Sequence, residues 1–207
     1  MGMIGERVLR TEDPDLVMGR GTFIDNLALP GATHVVYVRS AMAHARISGI
    51  DIAVAQDMPG VLGVFTHADL VADGLGPLPM DMPLLPAGIR RPALADGTVR
   101  FVGELIAAVV AESRALAVDA AEAVFVDYEA LPAVVDPEEA LTSDVLLFPE
   151  HASNVVVELS AGQEADFSSC EVIVETRIVN RRIAPSPLEG RVSASRWEEA
   201  GPDGIRR

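Results

Sequence analysis

The chain has 207 residues, of which 49% are hydrophobic, and a formal net charge of −15 at pH 7. That length accommodates one domain or two small ones, with ample apolar content for a core. The acidity argues against nucleic acid, whose phosphates demand a basic surface, and equally against anionic membranes.

Residues 1–18 read as a lead-in arm, and the opening MGMIGERVLR interleaves charges where a secretory signal needs an apolar run. Gly19-Arg20-Gly21 predicts a turn ahead of residues 23–27. As a dinucleotide loop it lacks a preceding strand, a following helix and the third glycine. Residues 34–38 alternate as a strand, 52–57 form a short helix, Pro59-Gly60 a turn, and 61–66 another strand, so strands and helices alternate along the chain. Between them, the small residues of 39–47 (RSAMAHARI) let the backbone pack tightly, with His44 and Arg46 placed to hydrogen-bond across a turn. The prolines of 74–92 (GLGPLPMDMPLLPAGIRRP) forbid regular structure, and its leucines and methionines require cover.

Residues 99–128, VRFVGELIAAVVAESRALAVDAAEAVFVDY, are the most informative stretch. Apolar side chains at nearly every position of 101–111 predict a strand covered on both faces, with Gly103 marking a kink. Ser113 is placed to cap a helix running to Val124, whose inward stripe of Ala117, Ala120, Ala121 and Val124 is small enough to lie close on a sheet. Residues 125–128 leave as the next strand. Glu104, Glu112, Arg114, Asp119 and Glu122 fall where a solvated face would put them. The apolar run 105–111 is far too short to span a bilayer, so the protein is expected to be soluble and cytoplasmic.

After Leu131-Pro132 the character shifts. Pro137 opens a short helix, 145–151 is a connector, and strand-like 155–159, 172–179 and 191–197 read as the start of a second unit. Gly201-Pro202-Asp203-Gly204 is a hairpin turn leading into Ile205, which predicts either an edge completed by another polypeptide, a fragment, or a frayed tail. No internal repeat is visible.

Chemical constellations are sparse. His34, His44, His67 and His151 are far apart, with no thiol or carboxylate at metal-ligand spacing. Asp57, Asp69, Asp73 and Asp81 read as surface or capping acids. Ser186 lacks the glycine-flanked elbow of a hydrolase nucleophile. Cys170 reads as a buried structural thiol, with a reactive thiol as the alternative. Asn180-Arg181-Arg182 and residues 185–191 either anchor a loop against another domain or form an exposed basic edge with a weak Glu189–Arg191 pair. All sixteen basic side chains are arginine, which reads as coding bias or as a store of buried ion-pair partners. No catalytic, cofactor-binding or metal-binding residue is assigned.

Three segments carry a resemblance: GRGTFIDNLALPGATHVVYVRSAMAHARISGID, MPGVLGVFTHADL, and VRFVGELIAAVVAESRALAVDAAEAVFVDYEALPAVVDPEEAL. In that order they resemble the N-terminal α/β hammerhead domain of molybdenum hydroxylase large subunits, the xanthine dehydrogenase, aldehyde oxidase and carbon monoxide dehydrogenase group. NVVVELSAGQEADFSSCEVIVETRIVNRRIAPSPLEGR is similar to the opening of that family's first molybdopterin-binding domain, departing at Gln163-Glu164, where Gly-Asp is common, and at Cys170, where alanine is usual. The resemblance implies an α+β fold: an arm over 1–18, a hammerhead domain over 19–141, and over 142–207 an incomplete mixed α/β cofactor-binding domain. It implies an oxidoreductase using molybdenum held by molybdopterin (cytosine dinucleotide), with partners that are the remainder of the large subunit and FAD-binding and iron–sulfur subunits. The family's cofactor loop, pterin contacts and catalytic glutamate have no matching positions here. The chain alone is therefore expected to bind no cofactor and to be silent; the rival expectation is a non-catalytic interaction subunit that completes a separately encoded polypeptide.

Overall fold

The computed structural model describes residues 5, 9–78, 86, 89, 91–159, 162, 165–181 and 183–196. In chain order its elements are α1 (Asp13–Val17), β1 (His34–Arg39), β2 (Ala45–Asp51), α2 (Ala53–Gln56), β3 (Val61–Thr66), α3 (His67–Ala72), β4 (Thr98–Val99), β5 (Leu105–Ala111), α4 (Arg114–Glu122), β6 (Phe125–Ala130) and α5 (Pro137–Ala140). The chain divides into two compact units, Gly31–Glu164 and a second built from Met1–Pro30 with Ala165–Arg207.

Gly31–Glu164 holds two three-stranded sheets, ordered β1-β5-β3 and β4-β2-β6. Every strand pair is antiparallel. In the first sheet Val36, Val109 and Val64 share one row across the strands, and Tyr37, Ala108 and Phe65 share the next. Side chains of successive rows point to opposite faces. Helix α4 lies against this sheet, so Val109, Val64, Ala120 and Ala55 close one core, with Val38, Ile52 and Val124 around it. Ile106, on the opposite face of β5, enters a second core with Ala45, Ala95 and Val99, flanked by Ile47, Val126 and Tyr128. Strand β5 is thus covered on both faces at its buried positions, the condition its unbroken apolar run requires. Full burial of Ile106 or Val109 contributes roughly 1.5–3 kcal/mol each.

The local chemistry explains the boundaries. Ser113 caps α4, its side chain accepting from the Leu116 N–H at 3.3 Å. Ala117 and Ala120 are fully buried, which lets α4 approach the sheet. The helix ends at Glu122 rather than Val124: the Ala123 and Val124 N–H groups donate to the Ala120 and Ala121 carbonyls at 3.1 and 3.4 Å in a closing turn, and β6 begins at Phe125 and extends to Ala130. The strand expected from Phe101 begins only at Leu105. Phe101 and Val102 are exposed in a turn whose Gly103 has φ +91°, and Gly103 N–H donates to the Ser40 carbonyl at 2.8 Å. Glu104 is half-buried rather than solvated, because its carboxylate accepts from the Arg100 N–H and closes that turn.

The stretch 39–47 differs more from its expectation. Ala45 starts β2, and Arg46 pairs across the sheet with Glu129 on β6 at 2.9 Å. His44 reaches the Pro132 carbonyl at 2.6 Å. Both therefore bond to residues more than eighty positions away instead of across a local turn. Most of the proline-rich stretch 79–90 lies outside the described residues; at its base the Leu78 N–H donates to the Arg91 carbonyl at 3.0 Å.

In the second unit, residues 13–17 of the expected arm are helical, started by Pro14 at a first-turn position and held by Asp15–Arg20 at 3.2 Å. Residues 172–179 and 191–196 form no strand and 172–179 are exposed throughout. In Gly31–Glu164, residues 155–159 likewise join neither sheet. Strand propensity supplies an extended backbone, but a strand also needs a partner ladder. Cys170 is exposed, contrary to the buried-thiol reading, because no sheet forms beside it to cover it. Glu189 accepts from the Ile24 N–H at 3.0 Å instead of pairing with Arg191. The hairpin 201–205 lies outside the described residues.

Candidate functional site

A cleft of about 550 Å³ in Gly31–Glu164 opens where α3, the residues before β4 and the 148–150 turn come together. His67 begins α3 because the capping box at its start fixes the entry of the helix: Asp69 accepts from the Thr66 N–H at 2.6 Å and from the Thr66 hydroxyl at 2.8 Å. The Thr66 N–H first, and then its hydroxyl, holds the Asp69 carboxyl below the usual carboxylate value. His67 Nε2 lies 3.5 Å from Asp96, while its Nδ1 is buried and makes no hydrogen bond.

On the other wall, Arg100 donates from Nε to the Leu147 carbonyl at 3.1 Å and from Nη1 to the Thr98 carbonyl at 3.3 Å, and its guanidinium stands 4.8 Å over the Phe148 ring. Asn154 ties the same region together, accepting from the Leu147 N–H and donating to the Ala140 and Val145 carbonyls. Leu75, Pro77 and Pro92 complete an apolar rim, and Glu150 adds a second carboxylate beside Asp96.

The described residues that line the cleft include no serine, threonine or cysteine that could act as a nucleophile. His34, His44, His67 and His151 lie in different elements or turns, and among the described residues no group of three or more His, Cys, Asp or Glu side chains could hold a metal ion. A pterin dinucleotide would bring phosphates into this cleft, where Asp96 and Glu150 repel them and the Arg100 guanidinium is already directed to two carbonyls and a ring. The residues lining this cleft therefore do not fit that group. The cleft itself was not visible in the sequence, since it joins positions 67, 96, 100 and 148, and only the Thr66-x-x-Asp69 capping pattern was a readable local signal.

Comparison with known proteins matches residues 18–132 to the aldehyde oxidase and xanthine dehydrogenase a/b hammerhead domain. The nicotine 6-hydroxylase large subunit of Paenarthrobacter nicotinovorans is 36% identical over 202 residues, covering 95% of this chain and 24% of that protein. Quinoline 2-oxidoreductase from Pseudomonas putida 86 superposes with a TM-score of 0.63 at 44% identity, over 75% of this chain and 20% of that one. A Cu,Mo-CO dehydrogenase in its carbon monoxide reduced state superposes with a TM-score of 0.59 at 38% identity, over 77% of this chain and 20% of that one. The chain belongs to the aldehyde oxidase and xanthine dehydrogenase hammerhead family. It spans about a quarter of the length of the curated relatives it matches. Among the described residues, no helix is long and apolar enough to cross a membrane.

Proposed function

We propose that this chain is the N-terminal segment of a molybdenum hydroxylase large subunit, inactive by itself, with the redox chemistry residing in the molybdopterin-binding remainder of that subunit. The observation that carries this reading is the family match over 18–132 in a chain equivalent to a quarter of its large-subunit relatives. In this reading residues 1–18 are an arm, 19–141 the hammerhead domain and 142–207 the start of the cofactor-binding domain. The assembled enzyme uses molybdenum on a molybdopterin cytosine dinucleotide, passes electrons to iron–sulfur and FAD subunits, and works in the cytoplasm. Neither nucleic acid nor a membrane surface is among its partners. The chain alone assigns no residue to metal, pterin or proton transfer.

A second reading, a non-catalytic interaction subunit that completes a separately encoded molybdopterin-binding polypeptide, is favoured by one feature, the exposed apolar stretch 172–179. One experiment tests the first reading. The purified chain is assayed for molybdenum by mass spectrometry and for dye reduction with aldehyde and purine substrates, alone and after co-expression with a polypeptide carrying the remaining domains. Metal-free, inactive chain that becomes part of a metal-loaded, active assembly is the expected result. Stoichiometric molybdenum and turnover in the chain alone would overturn it.

A further inference from the structure

Residues 142–156 follow the last strand and join neither sheet, yet they are tied to one another. Asn154 accepts from the Leu147 N–H at 3.2 Å and donates to the Ala140 and Val145 carbonyls at 3.1 and 2.8 Å, and the His151 ring lies 3.0 Å from the Val155 carbonyl. Contacts of that kind give the loop its own shape and leave its place on the domain to something else.

Arg100 supplies that place. It follows β4 directly, and its backbone N–H donates to the Glu104 carboxylate, which fixes the main chain from which the side chain leaves. The guanidinium donates from Nη1 to the carbonyl of Thr98 on β4 and from Nε to the carbonyl of Leu147 in the loop, and it stands over the Phe148 ring. One planar cation thus joins a sheet to the middle of the loop by two charge-assisted hydrogen bonds and a ring contact, which a lysine ammonium cannot reproduce together.

We propose that Arg100 is a positioning residue: it latches residues 142–156 to β4 and so fixes the path by which the chain passes from the hammerhead domain into the cofactor-binding part of the large subunit. Because Asn154 makes the loop one piece, holding it at Leu147 and Phe148 sets both where it enters and where it leaves. The destination of that path rests on the large-subunit reading above, whereas the latch is a property of Gly31–Glu164 alone.

Native-state hydrogen exchange on the full 207-residue chain tests the latch. The Leu147, His151 and Ala152 amides, bonded to Asn154, Phe148 and Pro149, report the loop, and the β5 amides report the sheets. Arg100→Met keeps an apolar stem and removes the guanidinium. Exchange at the loop amides is expected to rise at least about tenfold, as for the loss of one charge-assisted hydrogen bond, with β5 unchanged. Arg100→Lys, which keeps the charge without the fork, is expected to fall between Arg100→Met and the parent. Unchanged loop exchange in Arg100→Met would overturn the proposal, and so would a rise at β5 in step with the loop, which marks a residue that supports the whole fold.

The parent chain offers a measurement that needs no variant. In low urea the loop amides are expected to exchange through an opening with a weaker urea dependence than that of β5, because a partial opening exposes less surface. One common dependence would overturn the latch. In the large subunit assembled with the remaining domains, Arg100→Met is expected to lower bound molybdenum several-fold by mass spectrometry at equal yield of the chain. Undiminished molybdenum would overturn the role in fixing the path, whereas stoichiometric molybdenum in the parent chain alone would refute the large-subunit reading and let the exchange result stand.

Discussion

Gly60 makes the turn between α2 and β3 possible on two counts, and replacing it with alanine tests both. Its φ is +78°, a conformation that costs an L-residue with a side chain roughly 1–2 kcal/mol. A Cβ at this position would stand 2.6 Å from Leu116 Cδ1, so the half-buried Leu116 on α4 would have to shift. That displacement costs about 1 kcal/mol, at the low end for overpacking because the obstacle is the far end of a side chain. Alanine also restricts the unfolded chain, which returns roughly 0.4–1 kcal/mol. The net expectation for Gly60→Ala is a loss of about 2 kcal/mol, measured as the shift in urea unfolding followed by far-UV circular dichroism.

A double-mutant cycle separates the two terms. With Leu116→Ala already in place the steric term disappears, so adding Gly60→Ala should cost only about 1 kcal/mol, leaving a coupling of about 1 kcal/mol between the sites. A Gly60→Ala chain as stable as the parent would refute the strain argument. An equal cost in both backgrounds would show that Leu116 contributes nothing.

Ile106 is fully buried between the two sheets, so Ile106→Ala should lose roughly 2–5 kcal/mol in the same unfolding assay. Arg46→Ala should change stability by less than about 0.5 kcal/mol, because Arg46 and Glu129 are 60% and 58% exposed. His44, almost fully buried, must carry its proton on Nδ1 to donate to the Pro132 carbonyl, and His44→Ala should lose about 1–3 kcal/mol by urea melting. The Asp69 carboxyl is held below its usual value in the fold, so its share of stability is present above the unfolded-state pKa of about 4 and is lost as pH falls through the lower folded value. Asp69→Asn should therefore lower the urea midpoint at pH 6 and narrow the difference between pH 6 and pH 3. An unchanged pH dependence would show that the Thr66 contacts are not formed in solution.

The elements legible in the sequence are those whose cause is local or whose burial is two-sided. Strand β5 announces itself because Ile106 serves one core and Val109 the other, which leaves no polar position in the run. Helix α4 announces itself through Ser113 and the alanine stripe. Strand β2 hides because only one face is buried and a register shift near Gly49 breaks its alternation. Helix α3 hides because six residues leave too little periodicity, although Thr66 and Asp69 spell its capping box. The errors run the other way at 155–159, 172–179 and 191–196, where composition favours a strand but pairing, a long-range property, does not occur within either sheet. Cys170 fails for the same reason, since its burial was inferred from a sheet beside it.

Function was legible only through order and resemblance, and the reason lies in how this fold uses its polar side chains. In Gly31–Glu164 six buried or half-buried polar side chains end on main-chain atoms: Ser40 on Met42, His44 on Pro132, Asp69 on Thr66, Glu104 on Arg100, Ser113 on Leu116, Asn154 on Leu147. Such contacts satisfy backbone groups that loops and helix ends would otherwise leave without partners. An oxygen or nitrogen directed at a backbone atom at 2.6–3.3 Å is oriented by the fold and not toward a substrate. His67 is the exception, with one ring nitrogen toward Asp96 and the other buried without a partner, yet its neighbours in the cleft are carboxylates, carbonyl-bound Arg100 and apolar rim. The polar interior of this unit therefore holds shape, and substitutions in it should register in unfolding curves rather than in the chemistry of bound substrate.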